Sequence, residues 1–174
     1  MGDSVKKVFD KDTSLRTLEI VNSWITAADN KSSILLALLG LIIGFSASTY
    51  GKLADLIVHG STLQITLIIV LGIIYVIALG FTIFHLISVF IARTKKADYF
   101  SENLVSFVSF TEMKDKDYID SAKKADEETL FEMILSQINI NSKIAKHKMS
   151  HFNNALKFGL VLIPLTIILM VVVG

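Results

Sequence analysis

Residues 63–92 read LQITLIIVLGIIYVIALGFTIFHLISVFIA, thirty positions without Asp, Glu, Lys or Arg. As an α-helix this stretch is roughly 45 Å long at about 1.5 Å per residue, against roughly 30 Å for a bilayer's hydrocarbon core. One tilted span projecting beyond the lipid is expected, since two spans with a turn do not fit. To either side, residues 32–50 and 158–174 are also free of charge, and the three stretches make up 66 of the 174 residues. All 33 charges sit on the remaining 108. A soluble helix keeps a charged face along its whole length, so this segregation predicts an all-α membrane protein with three transmembrane helices. The last stretch reaches only roughly 25 Å by the same rise, and Ala155 and Leu156 complete it while Lys157 snorkels to the headgroups.

The rest of the composition excludes several classes. Apolar residues at 52% exclude disorder, and a net charge of +1 gives no support to a nucleic-acid binder. Without Cys there is no disulfide framework, thiolate nucleophile or Cys-ligated zinc site. The first 31 residues are polar and amphipathic, so no cleavable signal peptide is expected.

Lys and Arg set the orientation. Five lie in 1–31, one (Lys52) in 51–62 and eleven in 93–157. The expected organisation is a cytosolic amphipathic helix (1–31), a span (32–50), an external connection (51–62) and a second span (63–92). A cytosolic helical region (93–157) and a third span (158–174) complete it. Thr13 or Ser14 is the expected cap of a helix running through Leu15, Leu18, Val21 and Ile25 into the first span. Phe131, Ile138, Ala145 and Phe152 recur every seven residues, with Ile134 between, which predicts a long helix with a packing seam. Asn141 and Lys148 interrupt that seam, and Pro164 is expected to bend the helix. The charged stretch 109–123 reads as a surface loop or short turn.

Several side chains stand out. Gly40, Gly44 and Ser48 form a row of small residues that favours close helix approach, between subunits or within one, or the lining of a pore. Ser46, Thr49, Thr66, Thr82, His85 and Ser88 suit a weakly polar pore lining; alternatively the Ser and Thr hydroxyls bond locally to the helix backbone, and His85 is a neutral imidazole at the cytosolic interface. Asp29 and Lys31 stand where the amphipathic helix enters the membrane. There Lys31 snorkels, while Asp29 caps an amide or pairs with a neighbouring subunit; alternatively the two form a gate at the cytosolic mouth. Lys143, Lys146 and Lys148, with Arg93, attract anionic lipid or bind a phosphorylated ligand. His147 and His151 are four apart, but neighbouring lysines disfavour a metal there. No catalytic motif and no cofactor site is expected, so the chain does not read as an enzyme.

Three further stretches carry a resemblance. Ala28-Asp29-Asn30-Lys31-Ser32-Ser33 precedes the glycine-bearing span; Glu102-Asn103-Leu104-Val105-Ser106-Phe107 is followed by Tyr118; Gln137-Ile138 leads to Ile144-Ala145-Lys146-His147-Lys148 and Ala155. In this order, from roughly Leu18 to Leu160, the chain resembles the Pycsar-type transmembrane effectors of bacterial antiphage defence, with Ser32 standing where that family usually has Ala. The resemblance implies an inner-membrane effector controlled by a nucleotide signal from a neighbouring cyclase or nucleotidyltransferase. Such an effector impairs the membrane and arrests or kills the infected cell. One three-span subunit cannot enclose an aqueous pore, so a pore-forming reading requires a homo-oligomer in the lipid bilayer. Two alternatives stay open: a channel held closed by an oligonucleotide made constitutively, as in the Hailong type of system, and a non-conducting anchor that recruits a partner through its cytosolic helices.

Overall fold

The computed structural model describes residues 9–47, 50–91, 103–106 and 111–173. It is 91% helical with no strand among those residues, and three of its helices are long and apolar enough to cross a membrane. The elements are α1 (Lys11–Ala47), α2 (Tyr50–His59), α3 (Thr62–Phe90), α4 (Asp115–Lys124) and α5 (Glu127–Val173). Helices α1, α3 and α5 are the three candidate spans.

Local chemistry sets the helix ends. Asp10, rather than Thr13 or Ser14, caps α1: its carboxylate accepts the Thr13 amide at 2.9 Å, while Ser14 lies buried one turn inside the helix. At α3, the Ser61 hydroxyl accepts the Gln64 amide and the Gln64 side chain accepts the Ser61 amide, a reciprocal cap. Between α2 and α3 stands Gly60, whose amide donates to the Leu56 carbonyl at 2.7 Å; a side chain there would overlap that carbonyl oxygen. Asp126 caps α5 by accepting the Thr129 amide at 2.8 Å. The Thr129 side chain and then its amide hold the Asp126 carboxyl below the usual carboxylate range.

The charged stretch expected as a loop instead contains α4. Asp115 and Asp117 occupy its first turn and Lys123 and Lys124 its last, so its charges oppose the helix dipole at both ends. No residue of α4 is buried, so helix-end electrostatics rather than an apolar face account for it. Pro164 lies inside α5, which continues through it as one helix.

Burial on the long helices follows a seven-residue repeat. Every buried residue of α1 falls on the stripe Ser14, Leu18, Val21, Ile25, Ala28, Ser32, Leu35, Leu39, Ile42, Ser46. On α3, Ile68, Tyr75, Thr82 and Val89 are all buried. On α5, three columns contain no exposed residue: Ile134, Asn141, Lys148, Ala155, Leu162, Leu169; the expected seam from Phe131 extended through Gly159, Thr166 and Val173; and, beside that seam, the column from Leu130 through Gln137, Ile144, His151, Phe158 and Leu165 to Val172. This alternation of three and four is the spacing of left-handed helix packing, in soluble coiled coils and membrane bundles alike.

The chain forms two compact units, 1–27 with 93–146, and 28–92 with 147–174. In the first, Leu18, Val21, Leu104, Ile134, Ile140 and Ala145 are buried, together with the polar Asn103, Ser106 and Gln137. In the second, Leu39, Tyr75, Ala78, Leu86, Ala155, Leu162 and Leu165 form a core ringed by outward apolar side chains such as Leu41, Ile73, Ile77 and Ile167. That outer surface suits lipid.

Candidate functional site

The second unit holds a band of polar side chains close to where its share of α1 and α5 begins. The Lys148 ammonium donates to both Asp29 carboxylate oxygens, at 2.6 and 2.8 Å. The Lys148 side chain is 10% exposed and that of Asp29 36%, so the pair is largely withdrawn from water. The heptad position explains why. Lys148 belongs to a buried column of α5, and Asp29 follows the buried Ala28 on α1, so an ammonium reaching out of the seam meets a carboxylate at its edge. Asp29 thus has a partner within its own chain. Lys31, two residues on, is exposed.

In the same unit, α3 and α5 are joined through histidines. His85 Nδ1 lies 2.8 Å from His151 Nδ1, which requires one ring to donate and the other to accept. His147 packs on His151 with ring centroids 4.4 Å apart, and Phe158 stacks on both Phe81 and His85. Among the described residues no group of three His, Asp or Glu side chains could hold a metal ion.

Farther along the spans, hydroxyls turn back to their own helices. Ser46, Thr66, Thr82, Ser88 and Thr166 donate to the carbonyls four residues earlier, at 2.8–2.9 Å. Ser46 also meets the Tyr75 hydroxyl at 2.9 Å. Local bonding therefore accounts for these groups in a single subunit. Ser32 differs: it is fully buried and its Oγ has no partner. Ser48 and Thr49 lie outside the described residues.

Gly40 and Gly44 face outward, and a Cβ added at either would meet nothing within 4 Å. With Ser33, Ala37 and Ala47 they form an exposed stripe of small residues beside the buried stripe of α1. The glycine at a close helix contact is Gly159, where a Cβ would touch Thr82 at 3.6 Å and Leu35 at 3.7 Å, so α1, α3 and α5 converge there. Nothing in the sequence singled out Gly159 beyond its place seven residues after Phe152.

The first unit is tied by amides. Asn141 Nδ2 donates to Asn22 Oδ1 at 2.7 Å, and Gln137 Nε2 to Asn141 Oδ1 at 2.8 Å, leaving the buried Gln137 Oε1 without a partner. Asn103 donates to the Met133 carbonyl and accepts the Val105 amide, which fixes 103–106 against α5. The Tyr118 hydroxyl reaches the Leu104 carbonyl at 3.3 Å. Lys143 and Lys146 are exposed, and Lys143 already has an interaction partner. Arg93 lies outside the described residues. An open cavity of about 500 Å³ in this unit is lined by Phe9, Lys11, Phe131 and the carboxylates of Asp10, Glu127 and Glu128, a wall that repels phosphate.

The geometry brings separate motifs together. Asp29 and Lys148 come from the first and third stretches of the family resemblance; Leu104 and Tyr118 both come from the second. Residues 13–174 match the family model described as the Pycsar effector protein domain. No curated protein and no solved structure matches the chain.

Proposed function

The chain belongs to the Pycsar effector family, and on that premise we propose that it is a nucleotide-controlled effector that assembles with copies of itself into a pore in the bacterial inner membrane. Membership supports a cyclic-nucleotide-linked antiphage transmembrane effector in general.

The observation that carries the assembly is the outward stripe Ser33, Ala37, Gly40, Gly44 and Ala47. Small residues at such spacing let two helix backbones approach in lipid, where van der Waals packing replaces the hydrophobic effect as the driving force. The hydroxyls of Ser46, Thr66, Thr82, Ser88 and Thr166 are bonded to their own helices, which supports a conduction path between subunits rather than through one. The excess of Lys and Arg in 1–31 and 93–157 supports a cytosolic location for both segments.

Lys143 and Lys146, exposed and three residues apart on α5, are the phosphate-binding candidates. Lys148 serves as the inner lock rather than a ligand contact, because it is buried against Asp29 whereas Lys143 and Lys146 are exposed. Gating requires the nucleotide to bind the conducting state better than the closed one; affinity alone shifts nothing.

The test is conductance of the purified protein in planar bilayers, with and without cyclic pyrimidine nucleotides and short oligonucleotides. Opening on nucleotide addition is expected, with Gly44→Leu reducing both oligomer size and current. Current present from the start and blocked by an oligonucleotide would favour the channel held closed. Silence under every condition would favour the membrane anchor.

A further inference from the structure

Helix α2 places Leu53 and Ile57, one turn apart, over a cavity of about 390 Å³. Part of that space is a missing side chain: Gly72 lines the wall on α3, and an added Cβ there would meet nothing within 4 Å. The rest of the lining is apolar apart from three hydroxyls. Ser46 donates to the Ile42 carbonyl and so accepts from Tyr75, while Thr166 donates to the Leu162 carbonyl. Every donor in the wall is already engaged. Such a space offers water too few partners, and an apolar cavity of only ~150 Å³ already takes benzene.

The polar side chains of α2 indicate what lies at the entrance. Lys52, Asp55 and His59 are exposed, and His59 Nδ1 meets the Asp55 carboxylate at 3.1 Å. A short helix with an apolar face over the cavity and charges on the other is built for the boundary between acyl chains and headgroups. We propose that this pocket holds one acyl chain of a membrane lipid, with α2 as its cover and the headgroup beside Lys52. The inference rests on membrane residence and is independent of nucleotide gating.

Native mass spectrometry of the full chain, extracted in mild detergent from membranes of known lipid composition, tests it. The wild type retains an adduct of phospholipid mass through detergent exchange. Gly72→Phe fills the pocket and loses the adduct. Gly80→Phe, on an exposed position of the same helix with equal room, keeps it. Gly72→Leu is the milder filling variant should the phenylalanine prevent folding. A wild type without adduct, or equal retention in the Gly72 and Gly80 variants, overturns the proposal. A change of oligomer mass in Gly72→Phe with no lipid in either protein also overturns it, in favour of a second copy as occupant.

Discussion

One column of α5 is filled in two ways. In the first unit it presents Ile134 and then Asn141, whose amide reaches Asn22 on α1. In the second it presents Lys148 against Asp29 and then only Ala155, Leu162 and Leu169. The seven-residue geometry is common to both units, but the bonding across it changes from directed polar contacts to shape. Polar pairs fix which residues face each other, because an unmatched amide or charge is costly. Aliphatic packing in lipid fixes only distance, through small residues such as Ala155 and Gly159. Register is therefore set by the polar half, and close approach by the apolar half.

Breaking the ion pair should have the largest effect. Removing one partner of a fully buried pair costs about 3–5 kcal/mol; with a third of Asp29 in water, about 2–3 kcal/mol is expected for Lys148→Met. Thermal unfolding in detergent, followed by circular dichroism, measures it. The double variant Asp29→Asn, Lys148→Met should recover most of the loss, since no charge is then left without a partner. If the double variant stays as unstable as the single one, Lys148 contributes by packing its stem, and the polar half does not set register.

This contrast also explains what the sequence could and could not reveal. The three spans were legible because lipid excludes charge, and the seam from Phe131 to Phe152 because polar residues flank it. On α3 the column Ile68, Tyr75, Thr82, Val89 was not legible: its lipid face is as apolar as its buried face, so no hydropathy contrast marks it. Asn141 and Lys148 were visible as interruptions of the seam, but their partners lie 119 residues away in each case, and spacing along one helix carries no such information. Helix α4 was missed because its signal is the charge order at its ends, in a stretch without an apolar pattern. The outward direction of Gly40 and Gly44 was open from sequence, since the pattern serves contacts within a chain and between chains equally.

A smaller effect is expected from the amide pair of the first unit. Asn22 is exposed, so water competes for Asn141, and a double-mutant cycle of Asn22→Ala and Asn141→Ala should give a coupling of about 0.5–1 kcal/mol. The ratio between this value and the loss in Lys148→Met measures how much more firmly register is held at the ion pair. Equal values would place register along the whole length of the helix pair instead.

The smallest effect, of opposite sign, is expected at Ser32. Its hydroxyl is fully buried and unpartnered, whereas Ser46, Thr82 and Thr166 all bond to the preceding turn. A buried donor left unmade carries its desolvation cost with nothing in return, so Ser32→Ala should be neutral or stabilise by up to about 1 kcal/mol. Ser46→Ala should instead destabilise, because it leaves the Tyr75 hydroxyl without its partner. Ser32 lies on the buried stripe of α1 between the polar Asp29 and the apolar Leu35, at the point where directed bonding gives way to shape. Stabilisation by alanine there means the apolar regime begins at Ser32. Destabilisation comparable to that of Ser46→Ala means the hydroxyl is bonded after all, and the polar regime extends one turn deeper.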